Sequence, residues 1–92
     1  MSKVRIFKMA SGEEVLTMAE PGANGDILFN KPRAIQVVRV NDHGVQISLI
    51  PWIITDPDST QSVSPDRIMC YPSLSSELEK TYLEQTSGII LT

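Results

Sequence analysis

Apolar and polar residues alternate over short segments along the first two thirds of the chain, a pattern that indicates half-buried β-strands. Segments 3–9 and 13–20 are separated by a turn signal at 10–12, so they are predicted to form an antiparallel hairpin. The stretch 21–26 contains two glycines, a proline and short polar residues that favour turns, and it predicts a loop.

Segments 27–40 and 45–54 are rich in β-branched residues and predict a second hairpin around the tight connection at 41–44. A straight strand over the first of these segments would be about 46 Å long at the usual rise per residue. A compact chain of this length has a diameter of only about 32 Å, so the strand is expected to bend. Pro32 marks the predicted bend, because proline lacks the N–H that a ladder requires and favours bulges.

A helix is predicted in the last part of the sequence. Ser76 and Glu79 have the three-residue spacing of a capping box, which predicts that the helix begins near Glu77. The helix is predicted to end near Thr86, with Gly88 as its stop. One side of it carries an apolar stripe that is expected to cover a barrel end or a neighbouring subunit, and that consists of Leu74, Leu78 and Tyr82.

Together the segments predict a mainly β fold. Between the second hairpin and the helix the chain predicts a loop, a short strand, a turn and a last buried strand, at 55–60, 61–64, 65–67 and 68–71. Five short strands, two of them strongly bent, favour a small partly open barrel over residues 1–72, with the helix and an apolar tail over 73–92. The last strand and the tail are too apolar to face water at a sheet edge, so at least one edge is predicted to pair with another copy of the chain.

Composition and charge then limit the class of protein. The 92 residues are 41% hydrophobic and 21% charged, as in a soluble globular domain, and no apolar run approaches the ~20 residues that span a bilayer. The net charge of −3 excludes the strongly basic surface of a sequence-independent nucleic-acid binder but leaves room for a local basic patch. Cys70 is the single cysteine and no secretory signal is visible, so we expect a cytoplasmic protein.

Candidates for catalysis or metal binding are weak in this sequence. His43, the only histidine, lies in a predicted hairpin turn, where polar residues are expected in any case. Cys70 lies in an apolar strand and is predicted to be buried and inert. The loop with Asp56 and Asp58, and Asp66 beyond it, lacks the glycine and the terminal glutamate of a calcium loop and is predicted to be a solvated turn. We therefore predict no catalytic residue, no metal site and no cofactor.

A binding role is better supported. Basic residues cluster on the first and third predicted strands, as Lys3, Arg5 and Lys8 and as Lys31, Arg33 and Arg39. A barrel places such strands near each other and gives a positive stripe, although strand alternation alone also produces solvent-facing basic residues. Trp52 and Phe29 are candidates for stacking on bases, whereas a tryptophan beside two isoleucines is more typical of a core or subunit-contact anchor.

Four segments carry a recognisable combination of features. Segment 4–15 has a strand, a glycine turn and a second strand, and 26–30 begins a third strand. Segments 50–52 and 64–68 read Ile-Pro-Trp and Ser-Pro-Asp-Arg-Ile. This combination resembles the Sm-like (LSm) domain, and most closely the small Sm-like proteins of cyanophages and T4-type phages. The resemblance implies a strongly bent five-stranded Sm-like (SH3-like) barrel, assembled by strand pairing into a homo-oligomeric ring of about five to seven copies. It also implies a non-catalytic, RNA-binding protein of phage origin in the cytoplasm of a bacterial host.

The resemblance assigns roles to individual residues as well. In the family, RNA lies near the central pore and contacts the segments that here are the loop 21–26 and the turn 65–67. The implied nucleic-acid contacts are Asn24, Asn30 and Arg67, with Lys31 and Arg33 as phosphate partners. The predicted subunit-contact residues are Trp52, Ile68, Cys70, Leu78, Tyr82 and Ile90.

The turn before the last strand departs from the family pattern. The second Sm motif usually has an arginine followed by a glycine, whereas this chain has Pro65, Asp66 and Arg67. A carboxylate at Asp66 repels phosphate. An alternative therefore stays open, in which the ring is a protein–protein assembly module that binds no nucleic acid.

Overall fold

The computed structural model describes residues 3–87 and contains six β-strands and one α-helix. They are β1 (Lys3–Met9), β2 (Glu14–Pro21), β3 (Ile27–Asn41), β4 (Gly44–Pro51), β5 (Thr60–Val63), β6 (Ile68–Cys70) and α1 (Ser76–Ser87). The predicted mainly β class with a C-terminal helix is confirmed, and both predicted hairpins, β1–β2 and β3–β4, are present. Ile90 and the rest of the apolar tail lie outside the described residues.

The described strands form one antiparallel sheet in the order β4-β3-β2-β1-β6, and β5 pairs with the first residues of β3. A 3₁₀ turn, Pro65–Arg67, joins β5 to β6, and no ladder connects these two strands among the described residues. The sheet is therefore not closed into a barrel. It has six strands, because the short segments predicted at 61–64 and 68–71 both form strands, whereas the predicted barrel has five. The chain leaves the sheet after Pro51, before the end of the predicted strand 45–54, and a separate short strand, β5, then pairs with β3.

The long strand β3 changes partner at a β-bulge. The β2–β3 register shifts by one residue around Thr17, which faces both Lys31 and Pro32 of β3. Lys31 has a φ of +52°, which is uncommon for a residue with a side chain. Before the bulge β3 pairs with β5, and after it β3 pairs with β4. The bulge lies at the predicted bend, where proline provides no N–H for the ladder.

Two apolar cores form because neighbouring residues of a strand face opposite sides of the sheet. In the inner core the rings of Phe7 and Phe29 stack with centroids 4.7 Å apart. The buried residues of the inner core are Phe7, Met9, Val15, Ala19, Phe29 and Val63. In the helix-side core α1 packs on the sheet. The buried residues of the helix-side core are Val4, Ile6, Leu16, Leu49 and Tyr82.

Helix α1 begins one residue earlier than predicted and is capped by a different serine. The Leu78 N–H donates to Ser75 Oγ at 3.2 Å, and the Glu79 N–H donates to Ser75 O at 3.0 Å. Ser75 rather than Ser76 is therefore the N-cap residue. Two adjacent serines have the same intrinsic preference for this position, so the sequence does not choose between them. The helix continues to Ser87, one residue past its predicted end.

The far end of the β3–β4 hairpin is not covered by any other described element. All residues from 36 to 47 are exposed, and we call this segment the hairpin arm. It turns at Asp42 and His43, as predicted, and the His43 N–H donates to Asn41 Oδ1 at 2.8 Å. The molecule measures 45 × 29 × 26 Å. The large apolar residues that the arm exposes are Val37, Val38, Val40, Val45 and Ile47.

Candidate functional site

Arg33, predicted to contact a phosphate, points into the protein. Only 6% of the residue is exposed, its Nη2 lies 2.9 Å from Asp58 Oδ1, and its Nη1 donates to Pro57 O at 2.6 Å. The hydrogen bond from Arg33 lowers the pKa of the Asp58 carboxyl below its ordinary value. The bulge adds one residue to β3 just before Arg33 and so changes the side that the following residues face. The guanidinium therefore ties the 55–59 loop to the sheet and has a structural role in this chain.

Asn30 and Lys31, also predicted to contact nucleic acid, hold elements of the chain together. Asn30 Nδ2 donates to Met18 O at 3.1 Å, and Asn30 Oδ1 accepts from Thr60 Oγ1 at 2.6 Å. Lys31 Nζ donates to Thr86 O at 3.3 Å near the end of α1, where a cation is favourable. Both polar atoms of the Asn30 amide thus form hydrogen bonds that join β2, β3 and β5, whereas Lys31 is exposed to solvent.

Tyr82, predicted to be a subunit contact, lies in the helix-side core. Its hydroxyl accepts from the Met18 N–H at 3.0 Å. Its single proton is shared between the carbonyl oxygens of Asn30 and Lys31, each 2.9 Å from the hydroxyl oxygen. Burial raises the pKa of the Tyr82 phenol above its ordinary value. With 0% of the residue exposed, Tyr82 acts within the chain, at the bulge, rather than at a subunit surface.

Asn24 and Arg67 lie in exposed turns, as their predicted role requires. Asn24 lies in the 3₁₀ turn between β2 and β3, and Arg67 ends the 3₁₀ turn before β6. Ser62 Oγ donates to Asp26 Oδ2 at 2.9 Å, which ties the loop of Asn24 to β5. Strand β5 leads directly into the turn of Arg67. The structure therefore brings the two turns to the same end of β5.

The basic residues do not form a single stripe. Strand β2 separates those of β1 from those of β3, and Arg39 lies on the hairpin arm. Lys3 and Arg5 share one face of β1, because side chains alternate along a strand. Lys8 faces the other side, and its Nζ donates to Gly12 O at 2.7 Å. Lys3 and Arg5 thus remain together as a pair of exposed cations at one end of the sheet.

The other predicted subunit contacts are divided between the cores and the sheet edge. Trp52 is half-buried, with its ring centroid 5.6 Å from that of Phe29. Ile68 and Leu78 are also half-buried, one against each core. Cys70 is exposed, which corrects the prediction of a buried thiol. The reason is that β6 is three residues long and pairs only with β1 in the described part of the chain.

Within residues 3–87 no three histidine, cysteine, aspartate or glutamate side chains come together as ligands for a metal ion. The same part of the chain contains no helix that is long and apolar enough to cross a membrane. The chain matches no model of a known protein family. A search of the curated proteins likewise finds no match for it.

Proposed function

We propose that the chain is a non-catalytic Sm-like subunit of phage origin that assembles with copies of itself into a ring and binds single-stranded RNA in the cytoplasm of a bacterial host. The observation that carries this proposal is a bulged antiparallel sheet with open edges. Among the described strands, β4 and β6 end the strand order and each pairs with a neighbour on one side only, as does the short strand β5 beside β3. An unpaired edge presents N–H and C=O groups that a strand of another chain satisfies.

The side chains beside the two edges favour burial. Val45 and Ile47 on β4 are 60% and 40% exposed, and Met69 on β6 is 62% exposed. Pairing of β4 in one copy with β6 in the next covers these side chains and satisfies both edges. Because two different surfaces meet, the contact is head-to-tail, and it generates a ring when the rotation closes.

Three of the four segments that resemble the Sm-like domain contain a turn or the start of a strand. Segment 4–15 contains the β1–β2 turn, 26–30 begins β3, and 64–68 contains the 3₁₀ turn that leads into β6. This agreement supports the Sm-like proposal, and with it the ring and a pore lined by the turns of Asn24 and Arg67.

Met69→Glu is expected to dissociate the ring. The substitution places a charge on the β6 edge, where the proposed interface is apolar, and burial of an unpaired charge is unfavourable. Sedimentation velocity at micromolar concentrations is expected to show a wild-type species several times the mass of one chain. The dissociation constant of the variant is expected to be at least about tenfold higher.

Ile54→Glu is the matched control for this experiment. Ile54 is 79% exposed in the loop after β4 and belongs to neither edge strand, so the same new charge is expected to leave the oligomer intact. A wild-type protein that sediments as a monomer contradicts the ring, and so does equal dissociation of the two variants.

Arg67→Glu is expected to weaken RNA binding at least about tenfold without changing the oligomer. Arg67 is exposed, and the charge reversal replaces attraction for phosphate by repulsion. Fluorescence anisotropy with oligo-U and oligo-A at low ionic strength measures the affinity. The slope of log K against log salt is expected to fall by about one for each phosphate contact that is lost.

Arg39→Glu makes the same charge change on the hairpin arm, outside both turns, and is expected to bind as the wild type does.

The charge distribution favours one alternative, a ring that serves as a protein–protein assembly module and binds no nucleic acid. The net charge is −3, and Asp66 is exposed beside Arg67. A wild-type protein that forms the oligomer, but shows no salt-sensitive binding of either oligonucleotide, establishes this alternative and rejects RNA binding.

A further inference from the structure

A hollow of about 480 Å³ lies at one end of β1, and we call it the β1 pocket. Its lining includes Lys3, Arg5 and Phe7, which share one face of the strand. Tyr71 and the glycine-containing loop after β2 line its other sides. The volume lies within the range of about 300–1,000 Å³ that is typical of small-molecule sites.

The lining of the β1 pocket contains two cations, Lys3 and Arg5, and two carboxylates, Glu20 and Asp26. Lys3 and Arg5 are exposed, and the ion pair found in the described part of the chain involves neither of them. Asp26 also lines the pocket, but its carboxylate accepts a hydrogen bond from Ser62 Oγ at 2.9 Å. Glu20 lines the pocket too, yet it alternates on β2 with an inner-core residue, so its side chain projects to the helix side. The two cations share the pocket face of β1, whereas one carboxylate projects to the other side of the sheet and the other is bonded to Ser62, so an anionic group of a ligand is expected to lie beside Lys3 and Arg5.

Tyr71 gives the pocket an aromatic wall. The residue is 61% exposed, and its ring packs edge-on against Phe7 with centroids 5.7 Å apart and an interplanar angle of 72°. Phe7 is itself 1% exposed and stacks on Phe29 in the inner core. The Tyr71 ring is therefore held by the core while much of its surface stays open, which is the arrangement of a stacking platform for a planar base.

We propose that the β1 pocket binds a single nucleotide, with the base stacked on Tyr71 and the phosphate held by Arg5 and Lys3. The guanidinium of arginine donates two parallel hydrogen bonds to a phosphate, and the lysine ammonium adds a second positive charge. An inorganic anion leaves the aromatic wall unused, and a neutral aromatic molecule leaves both cations unused. The nucleotide is either free or the end of a strand, since both sources have this chemistry. The site shares the loop 21–26 with the proposed pore turn of Asn24 but does not include Arg67, and it needs neither the ring nor RNA binding at Arg67.

Titration of the full chain with AMP, UMP and inorganic phosphate, followed by amide chemical shifts in heteronuclear NMR spectra, tests the proposal. Shifts are expected at Phe7, Gly25 and Tyr71, and AMP is expected to bind at least about tenfold more tightly than inorganic phosphate.

Arg5→Glu is expected to weaken AMP binding at least about tenfold. Tyr71→Ala is expected to weaken AMP binding about tenfold and to leave phosphate binding unchanged. Both replaced residues are exposed, so both variants are expected to fold.

Arg39→Glu provides the charge-matched control and is expected to bind AMP as the wild type does. The proposal is overturned if neither AMP, UMP nor a 5′-phosphorylated oligo-A shifts these amides at millimolar concentration. It is also overturned if Arg5→Glu and Arg39→Glu weaken binding equally, or if phosphate binds as tightly as AMP. If the oligonucleotide binds but AMP and UMP do not, and if Arg5→Glu loses this binding while Arg39→Glu keeps it, the pocket is assigned to the end of a strand. Arg67→Glu is expected to leave AMP binding unchanged, which separates failure of the pocket from failure of the pore turns.

Discussion

Phe29→Ala is expected to remove a large part of the stability of this protein. Phe29 is fully buried, its ring stacks on that of Phe7 at 4.7 Å, and it lies 5.6 Å from that of Trp52. Truncation of such a residue removes its apolar transfer free energy and leaves a cavity, at a cost of about 3–5 kcal/mol. Single domains are stable by only about 5–15 kcal/mol in total. A measurable fraction of the variant is therefore expected to be unfolded under conditions in which the wild type is folded.

Equilibrium unfolding in urea measures this effect. Trp52 is the only tryptophan, so its fluorescence reports on the cluster that loses the ring, while far-UV circular dichroism reports on the sheet. Phe29→Leu keeps most of the apolar volume and is expected to be clearly less destabilised than the alanine variant. Val40→Ala, at a position of the same strand that is 70% exposed, is the control and is expected to change the unfolding free energy by no more than about 0.5 kcal/mol. If Phe29→Ala and Val40→Ala have equal urea midpoints of unfolding, the Phe29 ring does not contribute the expected stability to the inner core.

The hairpins follow from signals that are local in the sequence. Gly12 and Gly44 have φ values of +114° and +126°, which a residue with a side chain rarely adopts, and each lies at the turn of a predicted hairpin. The bulge follows from Pro32, since proline cannot donate to the ladder. The length argument assumed a diameter of about 32 Å, whereas the longest dimension of the molecule is 45 Å. Strand pattern and turn residues are therefore enough to predict the elements to within a few residues.

The direction of side chains beyond the bulge does not follow from local signals. Alternation along an uninterrupted strand predicts that Arg33 and Lys31 share a solvent-facing side. The inserted residue breaks this alternation, and Arg33 becomes buried against Asp58, a residue of a distant loop. The exposure of Cys70 is likewise a long-range property, because it depends on which strands cover β6.

Closure of the sheet and assembly of the β1 pocket also depend on distant parts of the chain. The sheet stays open because β5 and β6 do not pair, and nothing in either short segment specifies that. Lys3 and Arg5 at alternate positions are a visible signal for a shared strand face. Tyr71 reaches that face only because β6 pairs with β1, so the aromatic wall has no local signature.

Tyr82→Phe is expected to lower the unfolding free energy at neutral pH by about 1–3 kcal/mol, because it leaves the part-buried Met18 N–H without its partner. The phenol accepts from the Met18 N–H at 3.0 Å and lies 2.9 Å from the carbonyl oxygens of Asn30 and Lys31. A bulge interrupts the β-ladder, and here a side chain from α1 supplies hydrogen bonds at the interruption. The ring itself stays in the variant, so the helix-side core is expected to remain packed.

The phenol is also expected to make the wild type sensitive to alkaline pH. Burial raises the pKa of Tyr82 in the folded protein above 10.0, whereas the unfolded chain has the ordinary value of about 10. Above that pH the unfolded chain loses the phenolic proton while the folded protein retains it. Stability falls with pH wherever the unfolded state binds fewer protons, so the unfolding free energy of the wild type decreases from about pH 10 upwards. Below that pH both states hold the proton, and stability is independent of this group.

Urea unfolding of the wild type and of Tyr82→Phe, repeated from about pH 7 to about pH 11, measures both effects. The difference in unfolding free energy is expected to be constant up to about pH 9 and to narrow above about pH 10, because only the wild type has this proton to lose. Ionisable groups that both proteins share cancel in the difference. Tyr71→Phe removes the hydroxyl of a residue that is 61% exposed and is the matched control. Its expected change in unfolding free energy at neutral pH is no more than about 0.5 kcal/mol. If the difference in unfolding free energy between the wild type and Tyr82→Phe stays constant through the alkaline range, the Tyr82 phenol is not buried at the bulge as described.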